Sequence, residues 1–74
     1  MKNIPIILTT ILYIGTVDYV ESGIASVEIT ASDDETHYAY MPTLAFPCEI
    51  KEKDFFYFMY IDDTVEIRCG EPPV

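Results

Sequence analysis

His37 is the only histidine of the chain, and Cys48 and Cys69 are its only cysteines. Nucleophilic, acid–base or zinc chemistry would have to be built from these three. A nucleophile needs a base within hydrogen-bond reach and a third group to orient that base. No Ser–His–Asp or Cys–His arrangement is supported by spacing here. Zinc needs three or four nitrogen or sulfur ligands, and neither a C-x-x-C pair nor a His-x-His pair anchors such a set. A lone histidine beside tyrosines on a strand reads as an ordinary hydrogen-bonding residue. The acidic runs Asp33-Asp34-Glu35 and Asp62-Asp63 lack the alternating oxygen ligands and the glycine of a calcium loop. With thirteen carboxylates available, a hydrolytic pair can be nominated almost anywhere, so spacing selects none. No catalytic residue, metal site or cofactor is assigned, and the chain reads as non-enzymatic.

Charge is the strongest compositional feature. Thirteen Asp and Glu face four Lys and Arg, for a formal net charge of −9. Such a surface repels nucleic-acid backbones and anionic membranes, and it attracts basic protein surfaces. Solubility alone is the plainer explanation of the same acidity. As contact residues the acids expected at loop tips or outward strand positions stand out: Asp33, Asp34, Glu35, Asp62, Asp63 and Glu66. Tyr38, Tyr40, Tyr57 and Tyr60 are the aromatic anchors expected to accompany them, because tyrosine supplies large contact area with few rotatable bonds.

The elements that must carry these residues are short strands between turn signals. Ile6 to Val20 is a long strand-like run that starts after Pro5, with Gly15 as its expected bulge or bend. Glu21-Ser22-Gly23 reads as a tight turn in which Gly23 supplies positive φ. Ile24 to Thr30 alternates, with Ala25, Val27 and Ile29 on one face. Ala31 to Glu35 is a polar turn. Thr36 to Met41 follows, with Tyr38 and Tyr40 on one face and His37 and Ala39 on the other. A connection from Pro42 to about Lys53 has room for one short 3₁₀ turn. Phe55 to Ile61 is the most apolar segment; Phe56, Phe58 and Tyr60 share one face, and Phe55, Tyr57, Met59 and Ile61 the other. One of these sets is either exposed, which would mark a partner or dimer surface, or covered by the Pro42 to Pro47 connection, by the N-terminal strand or by another chain. Asp62-Asp63 turns the chain into Thr64–Cys69, where Val65, Ile67 and Cys69 alternate with Glu66 and Arg68. Residues 71–74 form a frayed tail behind a single domain over 1–70.

Two features leave alternatives open. Met1-Lys2-Asn3 and the apolar run from Ile4 to Gly15 imitate a signal peptide, but Asp18 and Glu21 spoil the cleavage region, and Gly23 and Ala25 make a poor site. The run is too short to span a bilayer, which takes about 20 residues. Cys48 and Cys69 either form one bridge in an oxidising compartment or sit as two small hydrophobes in a reducing one. The cytoplasm, of a host cell if the chain is phage-encoded, is the expected location, and export with one disulfide is the alternative.

Five short strands without helical periodicity predict an all-β fold, a small five-stranded antiparallel barrel of SH3-like or OB-like type, since closure removes exposed edges. The Ile50–Tyr57 stretch, where a Lys51-Glu52-Lys53-Asp54 turn opens into an aromatic strand, resembles SH3-like barrels. With Val17-Asp18, Glu21 to Gly23 and Val27-Glu28 it is similar to short bacterial or phage barrel domains of unknown function. Lys53 departs from that pattern, which has glycine there, and the resemblance carries no functional residue. In size and charge the chain also resembles small acidic phage inhibitors of the anti-restriction and anti-CRISPR kind. The expected function is therefore protein binding, with the acids occupying the basic nucleic-acid surface of a target enzyme. The alternative is a structural subunit, a homodimer for instance, that self-associates through its aromatic strand.

Overall fold

The computed structural model describes residues 9–31 and 33–72. The fold is all-β, with five antiparallel strands in one sheet: β1 (Thr9–Glu21), β2 (Ile24–Ala31), β3 (Thr36–Pro42), β4 (Phe55–Ile61) and β5 (Thr64–Cys69). A single 3₁₀ turn, Thr43–Ala45, follows β3. The strand order is β3-β2-β1-β4-β5, so the longest strand lies in the middle and pairs on both sides. Cleavage near Gly23 or Ala25 would remove that central strand, which sets the described part of the signal-like run inside the fold. Its first eight residues lie outside the described range.

Turn chemistry fixes the two tight hairpins. Glu21 pairs with Ile24 and Ile61 with Thr64, leaving two residues in each loop. Both loop residues have positive φ in each case: Ser22 at 52° and Gly23 at 78°, Asp62 at 48° and Asp63 at 66°. That is the backbone of a type I′ turn, whose twist matches the strands it joins. Asp tolerates the left-handed region better than most residues, because its side chain bonds locally. Between β2 and β3, Asp34 also adopts positive φ, at 67°, and Asp33 Oδ1 accepts the Glu35 backbone N–H at 3.0 Å. Lys53, where the barrel pattern has glycine, takes φ 73° in a turn closed by the Lys51 N–H on Asp54 Oδ2.

One face of the sheet carries the core. Val17, Ala25, Val27 and Phe56 are fully buried there, and Phe46 and Ile50 from the β3–β4 connection close over them. Phe46 meets Phe56 edge-on at 5.0 Å, and Phe56 meets Phe58 at 5.9 Å. The connection crosses from one side of β1 to the other, and the Val17 N–H on the Asp54 carbonyl and the Lys53 N–H on the Val17 carbonyl pin it to the central strand. A Cys48–Cys69 disulfide ties it to β5. The bridge resolves the two readings of these cysteines.

Two expectations change. The sheet is open: β3 and β5 are its edges and do not pair. The part of the inward face around Val17 and Phe56 is covered instead by the crossover, so no closure is needed to bury Phe56. Gly15 is not a bulge. The register shifts lie on either side of it, between Ile11 and Tyr13 against β4 and between Val17 and Tyr19 against β2. Gly15 is buried under the ring of Phe56, its partner on β4, which occupies the space a Cβ would need. An aromatic ring lying on a cross-strand glycine hides backbone that the missing side chain would otherwise expose.

Two stability outcomes follow from this packing. Replacing both cysteines by serine removes a cross-link spanning 21 residues, and chemical denaturation should show a loss of about 3 kcal/mol from loop entropy. Gly15→Ala drives a methyl group into the Phe56 ring and should cost about 1–3 kcal/mol in the same measurement, with Gly15→Val worse.

Candidate functional site

The register sorts the charged turns to opposite ends of the sheet. Tyr13 on β1 stands level with Ala31 at the end of β2, and Thr9 stands level with Ile61 at the end of β4. The β2–β3 turn with Asp33, Asp34 and Glu35 and the β4–β5 turn with Asp62 and Asp63 therefore share one end. They are three strand spacings, about 14 Å, apart across the sheet and about four residues, roughly 13 Å, out of step along it. Lys51 and Lys53 lie at the other end, in the crossover segment that bonds to Val17. Arg68, the remaining cation among the described residues, is held by Glu66 through Nη2–Oε1 at 2.8 Å. No lysine or arginine among the described residues stands at the acidic end.

Between the two acidic turns no described segment covers the core face. The crossover reaches only the half of the face near Val17. Beyond it lies a shallow hollow of about 590 Å³ lined by Leu12, Tyr13, Ile29, His37, Phe58 and Val65. Tyr13 sets its ring edge-on against Phe58 at 6.0 Å, and Val65 is 55% exposed. His37 stands at the rim with Nε2 3.4 Å from Glu35 Oε1, both side chains well exposed. The result is an apolar floor framed by carboxylates on two sides.

The other anticipated residues distribute unevenly. Tyr60 belongs to this end: its hydroxyl donates to Asp63 Oδ1 at 2.8 Å, which raises the phenol pKa above its usual value by favouring the protonated form. Tyr38 and Tyr40 stand on the opposite face of edge strand β3, at 72% and 73% exposure. Glu66 sits mid-strand on that same opposite face, neutralised by Arg68, an exposed pair of small energetic weight. Tyr57 is 9% exposed between β1 and β5, leaving little ring for a partner. The aromatic strand β4 is interior, so it offers no edge to a second chain.

Sequence reasoning placed the acids at turns but missed the floor between them. The alternation of Ile29, Phe58 and Val65 marks them as inward, yet only the length of the crossover decides which inward residues are covered. A second hollow, of about 400 Å³, lies beside the disulfide and mixes Glu49, Asp54 and Glu71 with Lys53. Among the described residues no group of His, Cys, Asp and Glu is placed to hold a metal ion, and no helix is long and apolar enough to cross a membrane. Comparison with family models, curated proteins and solved structures finds no match.

The Tyr60–Asp63 bond has a pH signature. Its stabilisation is present while the phenol is protonated, and it is lost as pH rises through the elevated pKa. In an ultraviolet titration of tyrosinate absorbance, Asp63→Asn should let Tyr60 ionise earlier than in the unmodified chain.

Proposed function

We propose that the chain is a non-catalytic protein-binding domain that docks its acidic end on a basic, amphipathic protein surface. The observation that carries this reading is the apolar hollow between the Asp33–Glu35 and Asp62–Asp63 turns, free of lysine and arginine among the described residues. Lysine and arginine place long apolar stems on hydrophobic surface and keep their charged heads in reach of carboxylates. A hollow floored by Leu12, Ile29, Phe58 and Val65 and rimmed by acids suits that chemistry. Tyr13, Tyr60 and His37 add ring surface and hydrogen-bonding groups at the rim.

Enzymes that handle nucleic acid belong to this partner class, since their channels are lined with basic residues, and carboxylates there take the place of phosphates spaced about 1.7 Å apart along the duplex axis. In this reading Tyr38 and Tyr40 lie outside the primary contact, because they face the other way. The SH3-like likeness adds no support, since the sheet is open. The disulfide supports action in an oxidising compartment, where such bridges persist; this is the observation favouring the exported reading over the cytoplasmic one.

Charge-driven docking of this kind strengthens at low ionic strength and fades as the Debye length shrinks. Against a candidate basic partner, titrated by calorimetry at two salt concentrations, Asp33→Asn with Asp34→Asn and Asp62→Asn with Asp63→Asn should each weaken binding at least several-fold and flatten its salt dependence. Glu66→Gln should change it little. Equal effects from all three, or affinity indifferent to salt, would remove the basis of the proposal.

A further inference from the structure

Edge strands present a row of unpaired backbone groups, and natural proteins blunt them with charge, proline or bulges. The two edges of this sheet differ in that respect. On β5, Glu66 and Arg68 put charges in the middle of the strand, and Gly70 and Pro72 end it. On β3, Thr36–Pro42, there is neither Asp, Glu, Lys nor Arg, the register to β2 is unbroken, and proline occurs only at the last position.

The direction of each backbone group on β3 follows from its ladder. Ala31 donates its N–H to the Glu35 carbonyl, and Thr43 donates to the Gly23 carbonyl. Both pairs fit the register that sets Ile29 opposite His37 and Val27 opposite Ala39. Hydrogen-bonded pairs alternate along an antiparallel ladder. His37, Ala39 and Met41 therefore bond inward to β2, while the N–H and C=O groups of Thr36, Tyr38 and Tyr40 point out of the sheet. Pro42 falls on an outward position too, where its missing N–H breaks no bond within the sheet.

We propose that this edge pairs with the same edge of a second copy, joining two sheets across a two-fold axis near Tyr38 and Ala39. An antiparallel pairing there matches each outward N–H of Thr36, Tyr38 and Tyr40 to an outward carbonyl of the other copy. The pairing also brings the exposed rings of Tyr38 and Tyr40 beside those of the partner on one face, an aromatic cross-strand contact of the kind that stabilises sheets. Electrostatics permit it despite the net charge of −9. Asp34 of one copy comes level with Pro42 of the other when the axis passes Tyr38, or with Leu44 when it passes Ala39, so the two acidic turns lie at opposite ends of the joint, at least about 27 Å apart. That exceeds the Debye length of about 8 Å at physiological ionic strength several times over. A basic strand from another protein would find no carboxylate along this edge to reward its charge, whereas an uncharged edge suits its own copy. The joint leaves the hollow between the acidic turns open, so it stands independently of the docking reading.

Sedimentation equilibrium of the full chain over a wide concentration range tests this. The dimer mass should appear and should persist at high salt, and hydrogen exchange should show Thr36, Tyr38 and Tyr40 amides gaining protection as concentration rises. Tyr38→Pro removes an outward N–H and no bond to β2, so it should give a monomer with unchanged far-ultraviolet dichroism, while Tyr38→Phe stays dimeric. If the proline variant does not fold, the pair Tyr38→Lys with Tyr40→Lys leaves the backbone intact, crowds like charges at the joint and should also yield a monomer at low salt. A chain that is monomeric at millimolar concentration overturns the proposal, as does a dimer that survives the double lysine variant.

Discussion

A lone sheet has two faces and, among the described residues, one segment outside the strands long enough to cover either of them. That constraint organises the molecule. The segment between β3 and β4 crosses the core face at one end, places Phe46 and Ile50 over Val17, Val27 and Phe56, and is held down by backbone bonds to Val17 and by the Cys48–Cys69 bridge. A domain of this size buries only about 60% of the surface its unfolded chain exposes, and small domains of this kind commonly rely on cross-links. Fully burying a ring such as that of Phe56 contributes up to about 3 kcal/mol, and that burial exists only while the crossover stays in place. The bridge restrains the one covering segment, which is where a restraint matters most.

The same constraint explains which parts of the fold were legible in the sequence. Strand alternation and turn residues are local signals, and they located Ile24–Ala31, Phe55–Ile61 and Thr64–Cys69 within a residue of their observed limits. Ser22-Gly23 and Asp62-Asp63 announced their hairpins because few residues accept positive φ at both positions. Closure is not local. Whether β3 meets β5 depends on where the crossover lies, and no residue in either edge strand encodes that. Gly15 shows a similar limit: its role comes from Phe56, forty-one positions later, and from sequence it looked like a bend. The cysteines could not be paired on paper because their approach depends on the same crossover.

The candidate site divides along the same line. Turn chemistry favours residues such as Asp at 33, 34, 62 and 63, so those acids were visible. That they fall at one end, with Lys51 and Lys53 at the other, follows from β2 and β4 both running antiparallel to β1, and the order β3-β2-β1-β4-β5 sets them on either side of it. In a meander with β1 at an edge the two hairpin turns would occupy other positions relative to the central strand. Tyr57 and Glu66 illustrate the reverse case. Both had suitable chemistry, but an interior strand hides the first and Arg68 occupies the second.

The two ends also differ in how firmly they are held. At the crossover end, four fully buried side chains, two segment-to-strand hydrogen bonds and a covalent bridge converge. At the acidic end, Tyr13 and Val65 are 42% and 55% exposed, the turns are held by local hydrogen bonds alone, and no segment among the described residues overlies the floor. Local opening free energies follow buried contacts, and binding surfaces are drawn from the less stable regions of a fold because burial there is still to be gained. An apolar floor that no described segment covers costs solvation free energy, which burial would recover. One topological choice therefore separates the two ends: the crossover lies over one half of the core face, and among the described residues the other half keeps its apolar floor open.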